Sequence, residues 1–443
     1  DLSTLGHLSA GVPGTVAGLY LAHTAYGTLP WEDLVEPALT LARDGYMVSE
    51  SLAGSLRRLE PYLDLYPGLE VFTGAEGSFY AAGDTIRQND LAGTLERIAR
   101  EGPKDFYRGE TAELIIGEME RGGGMIDRDD LTSYVAVRRE PIRGSYRGFG
   151  ILSAPPPSSG GIVLIEILNI VEAYELGRYG FLSEKGVHLV VEAERRAYRD
   201  RALLLGDPDY VDIDINSIIS KGYADDLRNN IKVEATESSA LEHGMISESA
   251  ETTHYSIIDG NGNAVSTTTT LNGAYGSKLL VEGAGFLLNN EMDDFSIKPG
   301  VPNMYGLVGN DANAIAPGKR MLSSMSPTIL LKGEEPYLVL GSPGGGRIIT
   351  TVAQIIMNII DFGMNLAEAV EAPRFHHQWL PDRIEFEQSA YRPELVEALE
   401  RRGHRCFMQS DYMGEAQVIG SIDSLMCGVA DGRGEGRAVA VEE

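Results

Sequence analysis

The stretch from Glu234 to Glu251 is polar, rich in Ser and Glu, and without hydrophobic period, and it divides this chain into two textures. Such a stretch reads as an exposed, flexible connector. Before it, apolar residues recur at helical spacing. Helices are expected over Pro13 to Tyr26, Trp31 to Arg43, from a cap at Asn89 or Asp90 to Gly102, Glu110 to Arg121, Ile162 to Glu175 and His188 to Leu205. Ser145 to Ser153 reads as a strand, and Pro155 to Gly161 as a rigid loop. After the connector, strands begin. His254 to Ile258 and Ala264 to Leu271 flank the turn Asp259-Gly260-Asn261-Gly262-Asn263 and predict a hairpin. Further strands are expected at Leu279 to Leu288, Thr328 to Leu331 and Pro336 to Leu340. Helices return at Ile349 to Asp361 and, capped by Asn365, to Glu371. No internal repeat is visible. The order helix, strand, helix predicts an α+β fold with sheets layered between helices.

The 443 residues, 43% hydrophobic and 23% charged, suffice for a sizeable core in one large or two ordinary domains. A formal net charge of −28, spread along the chain, repels phosphate backbones and argues against nucleic-acid binding. No apolar run approaches the roughly 20 residues of a membrane span. Cys406 and Cys427 are too few for a disulfide framework and read as free core thiols or one isolated bridge. The sequence opens at Asp1 and shows no signal peptide, so its compartment is not legible from this end.

Thr252-Thr253-His254-Tyr255-Ser256 stands where the connector meets the first hairpin strand. Threonine is common in strands. A threonine at such a junction can also attack the preceding carbonyl, here that of Glu251, and the resulting ester can hydrolyse. The freed α-amino group, with an ordinary pKa of about 7.7–8.0, can then act as base for its own hydroxyl. No histidine, metal or cofactor is needed. Thr267 to Thr270, followed by Asn272, closes the hairpin and reads as a plain strand, although one set of its alternating threonines could line a site. Asn289-Asn290-Glu291-Met292-Asp293-Asp294-Phe295 reads as a solvated turn or as a clamp for a cationic amine. Gly341-Ser342-Pro343-Gly344-Gly345-Gly346-Arg347 joins a strand to a helix, where backbone amides can hold an anion or oxyanion. It lacks the endings of a phosphate loop and of a nucleophile elbow. Asp259, Asn261 and Asn263 mimic a calcium loop, but Ala264 and Thr270 stand where its Gly and Glu belong. His376 and His377 diverge on a strand and have no accompanying His/Cys cluster. No metal is expected.

Together these segments resemble γ-glutamyltransferases (γ-glutamyl transpeptidases). The resemblance rests on Thr252 to Ser256, Asn289 to Phe295, Arg320-Met321-Leu322-Ser323-Ser324-Met325-Ser326-Pro327 and Gly341 to Arg347. It also rests on Pro-Gly-Thr-Val-Ala-Gly at Pro13, Pro-Pro-Pro-Ser-Ser-Gly-Gly at Pro155 and Ala-Pro-Arg-Phe-His-His-Gln-Trp at Ala372. These run in the family's order over nearly the whole chain.

The resemblance implies a four-layer αββα sandwich of the N-terminal-nucleophile (Ntn) hydrolase type. It implies a precursor that cleaves between Glu251 and Thr252 into a large-subunit part, 1–251, and a small subunit, 252–443, which stay intertwined as one structural domain. The reaction it implies moves a γ-glutamyl group from a donor such as glutathione, through a threonine ester, to water or to an amino-acid or peptide acceptor. By position, Thr252 is the nucleophile and Thr270 its hydrogen-bonding assistant. Asn272, Glu291 and Asp294 hold the donor's α-amino end, and Ser323 and Ser324 its α-carboxylate. Gly344 and Gly345 supply oxyanion amides. Pro299 to Asp311 is a lid loop and Tyr305 its gate. Family habit implies a periplasmic or extracellular location. The family's Asp-x-Arg-Glu motif, whose arginine grips the α-carboxylate, has no counterpart here. The sequence is therefore expected to be a fragment of a longer protein, with Arg320 as the rival source of charge. The alternatives are an Ntn acylase of the cephalosporin acylase or poly-γ-glutamate transpeptidase type, and a non-catalytic binding homologue.

Overall fold

A computed structural model describes residues 2–74, 76–238, 252–410, 412–422 and 425–441. It divides the chain into two compact units, residues 1–138 with 271–293, and residues 139–270 with 294–443. Each unit draws on chain from both sides of position 252.

The first unit is helical. Its helices are Thr15–Tyr26, Trp31–Asp44, Glu50–Arg57, Asn89–Glu101, Pro103–Arg108, Glu110–Gly122 and Arg128–Ser133. Ile98, Phe106, Ile115, Met119, Leu131, Val281 and Leu288 fill one core. Two expectations need correction here. Asn89 is already helical, and its neighbour Gln88 occupies the cap position without a side-chain bond. The expected Leu279–Leu288 strand reduces to a single bridge between Leu280 and Leu287. Gly283 and Gly285, at φ +77° and +73°, fold the segment back on itself at its middle.

The second unit is built on a six-stranded antiparallel sheet. Its strand order is Leu425–Ala430, Gln417–Ile422, Glu335–Gly341, Thr328–Lys332, Phe149–Ser153, Ile142–Tyr146. The single strand expected at 145–153 is thus two. Arg147 and Gly148 both take positive φ, 49° and 87°, and make the two-residue turn of a tight hairpin. The helix Gly160–Val171 is buried along its whole length, as a helix apolar on every side apart from Glu166 and Asn169 must be. It packs on Phe149–Ser153 and Ile142–Tyr146 and against the helices Glu184–Leu204 and Arg347–Ile360. The hairpin Thr252–Ile258/Ala264–Thr270 packs against Glu335–Gly341. Helices, sheet and hairpin thus stack as successive layers of an α+β fold. A third sheet joins Phe375–His376, Ile384–Glu387 and Cys406–Gln409. No described helix is long and apolar enough to cross a membrane.

Candidate active site

Thr252 is the first residue of its strand and pairs with Thr270, the last of the partner strand. Its Oγ1 donates to Thr270 Oγ1 at 3.1 Å. Strand alternation places Thr252, His254 and Ser256 on one face, with Thr270, Thr268 and Ser266 opposite them. That face bonds to the sheet. Ser256 Oγ donates to Gln417 O at 3.0 Å, and Ser266 Oγ donates to Leu340 O at 3.1 Å while accepting from Thr328 N at 2.9 Å. The His254 ring nitrogens meet Thr268 Oγ1 and Ser256 Oγ at 2.8 and 3.1 Å. Burial lowers the His254 pKa to about 4. The ring is therefore neutral near pH 7, and both its nitrogens are engaged away from Thr252. Glu251 and most of the connector lie outside the described residues.

The sheet strand that supports the hairpin ends at Gly341. A Cβ there would lie 2.2 Å from His254 Cε1, so only glycine lets the hairpin come this close. The chain then turns through Ser342 to Gly346 into the helix Arg347–Ile360. Gly344 and Gly345 have φ +131° and +53°. Their carbonyls accept from Arg347 N at 2.9 Å and Ile348 N at 3.3 Å. Their N–H groups have no acceptor among the described residues. Two bare amides at the N-terminus of a 14-residue helix form a ready receptor for negative charge.

Two of the recognised motifs meet at Ser323 and Ser324. Ser159 N and Oγ both bond Ser323 O, at 2.8 and 2.7 Å, Ser158 Oγ donates to Met325 O at 2.7 Å, and Ser323 N donates to Pro157 O at 3.0 Å. The glycines that follow Ser159 permit this approach, since a Cβ on Gly160 would sit 2.3 Å from Met325 O. Ser323 Oγ accepts from Met325 N at 3.1 Å, and Ser324 Oγ accepts from Arg201 Nη2 at 3.1 Å. Neither hydroxyl hydrogen has an acceptor among the described residues, so both serines are set to donate.

Asp294 belongs to the same unit. Its Oδ1 accepts from Asn303 Nδ2 at 3.2 Å. Asn303 Oδ1 in turn accepts from Tyr305 N and Leu307 N at 3.0 Å each, so this one amide ties the turn of the 299–311 loop to the carboxylate. Tyr305 is buried, and its carbonyl accepts from Gln378 Nε2 at 3.0 Å. Asn303 escaped the sequence reading, because an Asn in a turn is ordinary.

Asn272 and Glu291 fall in the first unit. Asn272 is buried at φ +72°, which asparagine tolerates, and its Nδ2 donates to Asn290 O at 3.0 Å. Glu291 opens a short 3-10 helix to Asp294, and its N–H donates to Asn289 Oδ1 at 2.9 Å. The third carboxylate of that motif, Asp293, is buried and accepts from Ser3 Oγ at 2.7 Å, a structural engagement.

Arg320, the rival source of charge, sits beside other acids. Its N–H donates to Asp207 Oδ2 at 2.8 Å, and its charge, after that of Arg139, holds the Asp209 carboxyl down. Cys406 and Cys427 are free thiols, and burial pushes Cys406 up to about 12. Among the described residues, His188, Glu192 and His404 group at metal-ligand spacing. Glu192 is already bound by Arg195, Arg196 and Thr236, and two guanidiniums repel a cation. His376 and His377 are buried, hydrogen-bonded to Thr350, Gln378 and Asp382, and neutral, with pKa values lowered by burial to about 3 and 4.

A strand-initial threonine, a pair of glycine amides without an acceptor among the described residues of the same unit, and an α+β layered frame define an N-terminal-nucleophile hydrolase. The sequence model described as Gamma-glutamyltranspeptidase matches residues 1–441, and the chain belongs to that family. It is 47% identical over 430 residues to the glutathione hydrolase proenzyme of Escherichia coli (strain K12), covering 96% of this chain and 73% of that one. It is 44% identical over 409 residues to the glutathione hydrolase proenzyme of Pseudomonas sp. (strain A14), covering 91% and 71%. The solved structure of a cephalosporin acylase from Bacillus halodurans superposes with TM-score 0.86 at 28% identity, covering 99% of this chain and 80% of that one.

Proposed function

We propose that this protein is a self-processing γ-glutamyltransferase that cleaves γ-glutamyl amides such as glutathione. In processing, Thr252 Oγ1 attacks the Glu251 carbonyl carbon and the Glu251–Thr252 amide becomes an ester. That shift frees the Thr252 amine, and water then hydrolyses the ester, releasing the Glu251 carboxylate and regenerating the Thr252 hydroxyl. The division is into a large-subunit part, 1–251, and a small subunit, 252–443. In catalysis the amine takes the Thr252 hydroxyl proton as Oγ1 attacks the γ-carbonyl. The developing oxyanion sits on the Gly344 and Gly345 amides. The donor's amine leaves with the proton, and water or an acceptor amine then takes the γ-glutamyl group from the ester.

Roles for the remaining residues follow from charge. A zwitterionic amino-acid head needs acceptors for its ammonium and donors for its carboxylate. Asp294, with Asn272 and Glu291, meets the first need, and the Ser323 and Ser324 hydroxyls the second. Thr270 orients the nucleophile, and Tyr305 closes the 299–311 loop. No metal or cofactor enters the scheme. The family resemblance supports a periplasmic or extracellular location.

The observation carrying this reading is the strand-initial Thr252, bonded to Thr270 in a unit that also presents two unsatisfied glycine amides. Kinship to a cephalosporin acylase favours a second reading, transfer of an acyl group that carries no α-amine. The purified protein should separate into parts of 251 and 192 residues beginning at Asp1 and Thr252, and the Thr252→Ala variant should stay as one band. Cleavage of that variant at the same bond would refute the mechanism. The cut protein should hydrolyse γ-glutamyl-p-nitroanilide at least tenfold faster than glutaryl-p-nitroanilide, since a charge-assisted bond to the ammonium is worth about 1.5–3 kcal/mol. The reverse preference would establish the acylase reading.

A further inference from the structure

Arg201 lies three residues before the end of the helix Glu184–Leu204 and is only 5% exposed. Its bonds are Nε to Ser159 Oγ at 2.9 Å, Nη2 to Ser324 Oγ at 3.1 Å and Nη2 to Leu322 O at 3.4 Å. All three partners are neutral. Among the described residues no carboxylate stands at ion-pair distance, although the charge of Asp294 is close enough to act on it. A buried guanidinium without a counter-ion is costly. The other buried arginines of this unit show the usual solution. Arg195 pairs with Glu192 and Asp382, Arg196 with Glu192, Arg347 with Glu385 and Arg374 with Asp431. Arg201 departs from that pattern beside Ser323 and Ser324, whose hydroxyl hydrogens have no acceptor among the described residues.

We propose that Arg201 is a specificity-determining positioning residue, whose charge, relayed through the Ser324 hydroxyl, selects substrates carrying an α-carboxylate. This rests on the reading of Ser323 and Ser324 as the carboxylate site. Accepting from a cation fixes the Ser324 oxygen, turns its hydrogen outward and makes that hydrogen a stronger donor, because successive bonds in a chain polarise one another. The bound carboxylate then completes the ion balance that the protein leaves open. Arg201 also bonds Ser159, which grips the Ser323 carbonyl, so one guanidinium sets both serines. Arg201 and Asp294 stand with opposite charges in one unit and match the two charges of an amino-acid head.

Three p-nitroanilides separate the possibilities: γ-glutamyl, with ammonium and carboxylate; glutaryl, with carboxylate alone; and 4-aminobutyryl, with ammonium alone. In the self-cleaved full chain, Arg201→Met should raise KM for the first two by about 10- to 100-fold, as expected for losing a charge-assisted interaction, with kcat changed far less. KM for the 4-aminobutyryl substrate should not move. Arg201→Lys should restore part of the loss. In a Ser324→Ala background, Arg201→Met should add little, because the relay is already broken. A rise in KM equal for all three substrates, or no rise, overturns the proposal. If Arg201→Met does not mature, the same three-substrate comparison in Arg201→Lys and Ser324→Ala decides. A parent enzyme that handles 4-aminobutyryl as well as γ-glutamyl has no carboxylate site at all, which sinks the underlying reading. A parent that discriminates and an Arg201→Met that discriminates equally sinks only the role of Arg201.

Discussion

Replacing Asp431 by alanine should cost the second unit about 3–5 kcal/mol, the usual penalty for stranding one member of a buried ion pair. Asp431 is 1% exposed and Arg374, its partner, 2%. Asp431 Oδ2 accepts from Arg374 Nη2 at 2.6 Å and from Ala416 N at 3.0 Å, and Oδ1 accepts from Arg433 Nη1 at 2.9 Å. Arg433 keeps Glu387, bound at 2.8 Å, after the substitution. Arg374 keeps only the carbonyls of Val370 and Met413, so almost the whole penalty falls on one guanidinium. Urea unfolding in the uncut Thr252→Ala background measures it, through the midpoint and slope. Arg374→Met combined with Asp431→Ala should recover most of the loss, because an apolar replacement leaves no stranded charge. The pH dependence has a definite sign. Burial pushes the Asp431 carboxyl up, but Arg374 and Arg433 outweigh it and hold the folded pKa below the ordinary 3.8. The pair's contribution is therefore complete above that value and is lost as pH falls through the lower folded one. The gap between parent and Asp431→Ala should be flat from about pH 5 to 8 and close below about 4. A loss under about 1 kcal/mol at pH 7, or no recovery in the double variant, would refute this account.

Three further outcomes test the site. Thr270→Val removes one hydroxyl partner of Thr252 and should slow self-cleavage by about 2- to 13-fold, the worth of a neutral hydrogen bond, read from the decay of the precursor band. Asp294→Ala should lower kcat/KM for γ-glutamyl-p-nitroanilide by well over tenfold, from a loss of about 2–5 kcal/mol, while self-cleavage proceeds; an unchanged kcat/KM would move the α-amino site elsewhere. Gly344→Ala meets no close atom but must adopt φ +131°, so the turn should shift and kcat should fall at least tenfold with KM little changed; a kcat within twofold of the parent would remove Gly344 from the oxyanion site.

Much of this architecture was legible because its signals are local. His254 to Ile258 alternates weakly and Ala264 to Leu271 follows it across the turn at 259–263, a local pattern that predicts the hairpin, which the structure extends back to Thr252 and ends at Thr270. The serine and glycine segments were legible as motifs, although neither pattern says that Ser159 and Ser323 touch. What escaped is what burial decides. Arg195, Arg196, Arg199 and Arg201 crowd one stretch of helix, a charge density usual at a solvated surface, yet three of the four are buried. Ile384–Glu387 alternates apolar and acidic residues like a surface strand. All four are buried, because Arg347 and Arg433 arrive from distant segments to neutralise Glu385 and Glu387. Charge pairing between remote positions leaves no trace in a single sequence.

The hydroxyl-to-carbonyl bonds that fasten the threonine hairpin to the sheet act as an index. Apolar surfaces tolerate sliding, whereas Ser256 on Gln417 O and Ser266 on Leu340 O hold only at one setting. A slip of one residue would turn Tyr255 and Ile257 toward the sheet and carry Thr253 into the place of Thr252. Thr252, the proposed nucleophile, is therefore located by the Ser256 bond four residues downstream and by the Ser266 bond of its partner strand, and the proposed cleavage of the peptide upstream would leave both bonds untouched. Length changes in the exposed turn at 259–263 should be tolerated, and any insertion or deletion between 253 and 257 should not, because a single extra residue there would put another residue in the place of Thr252.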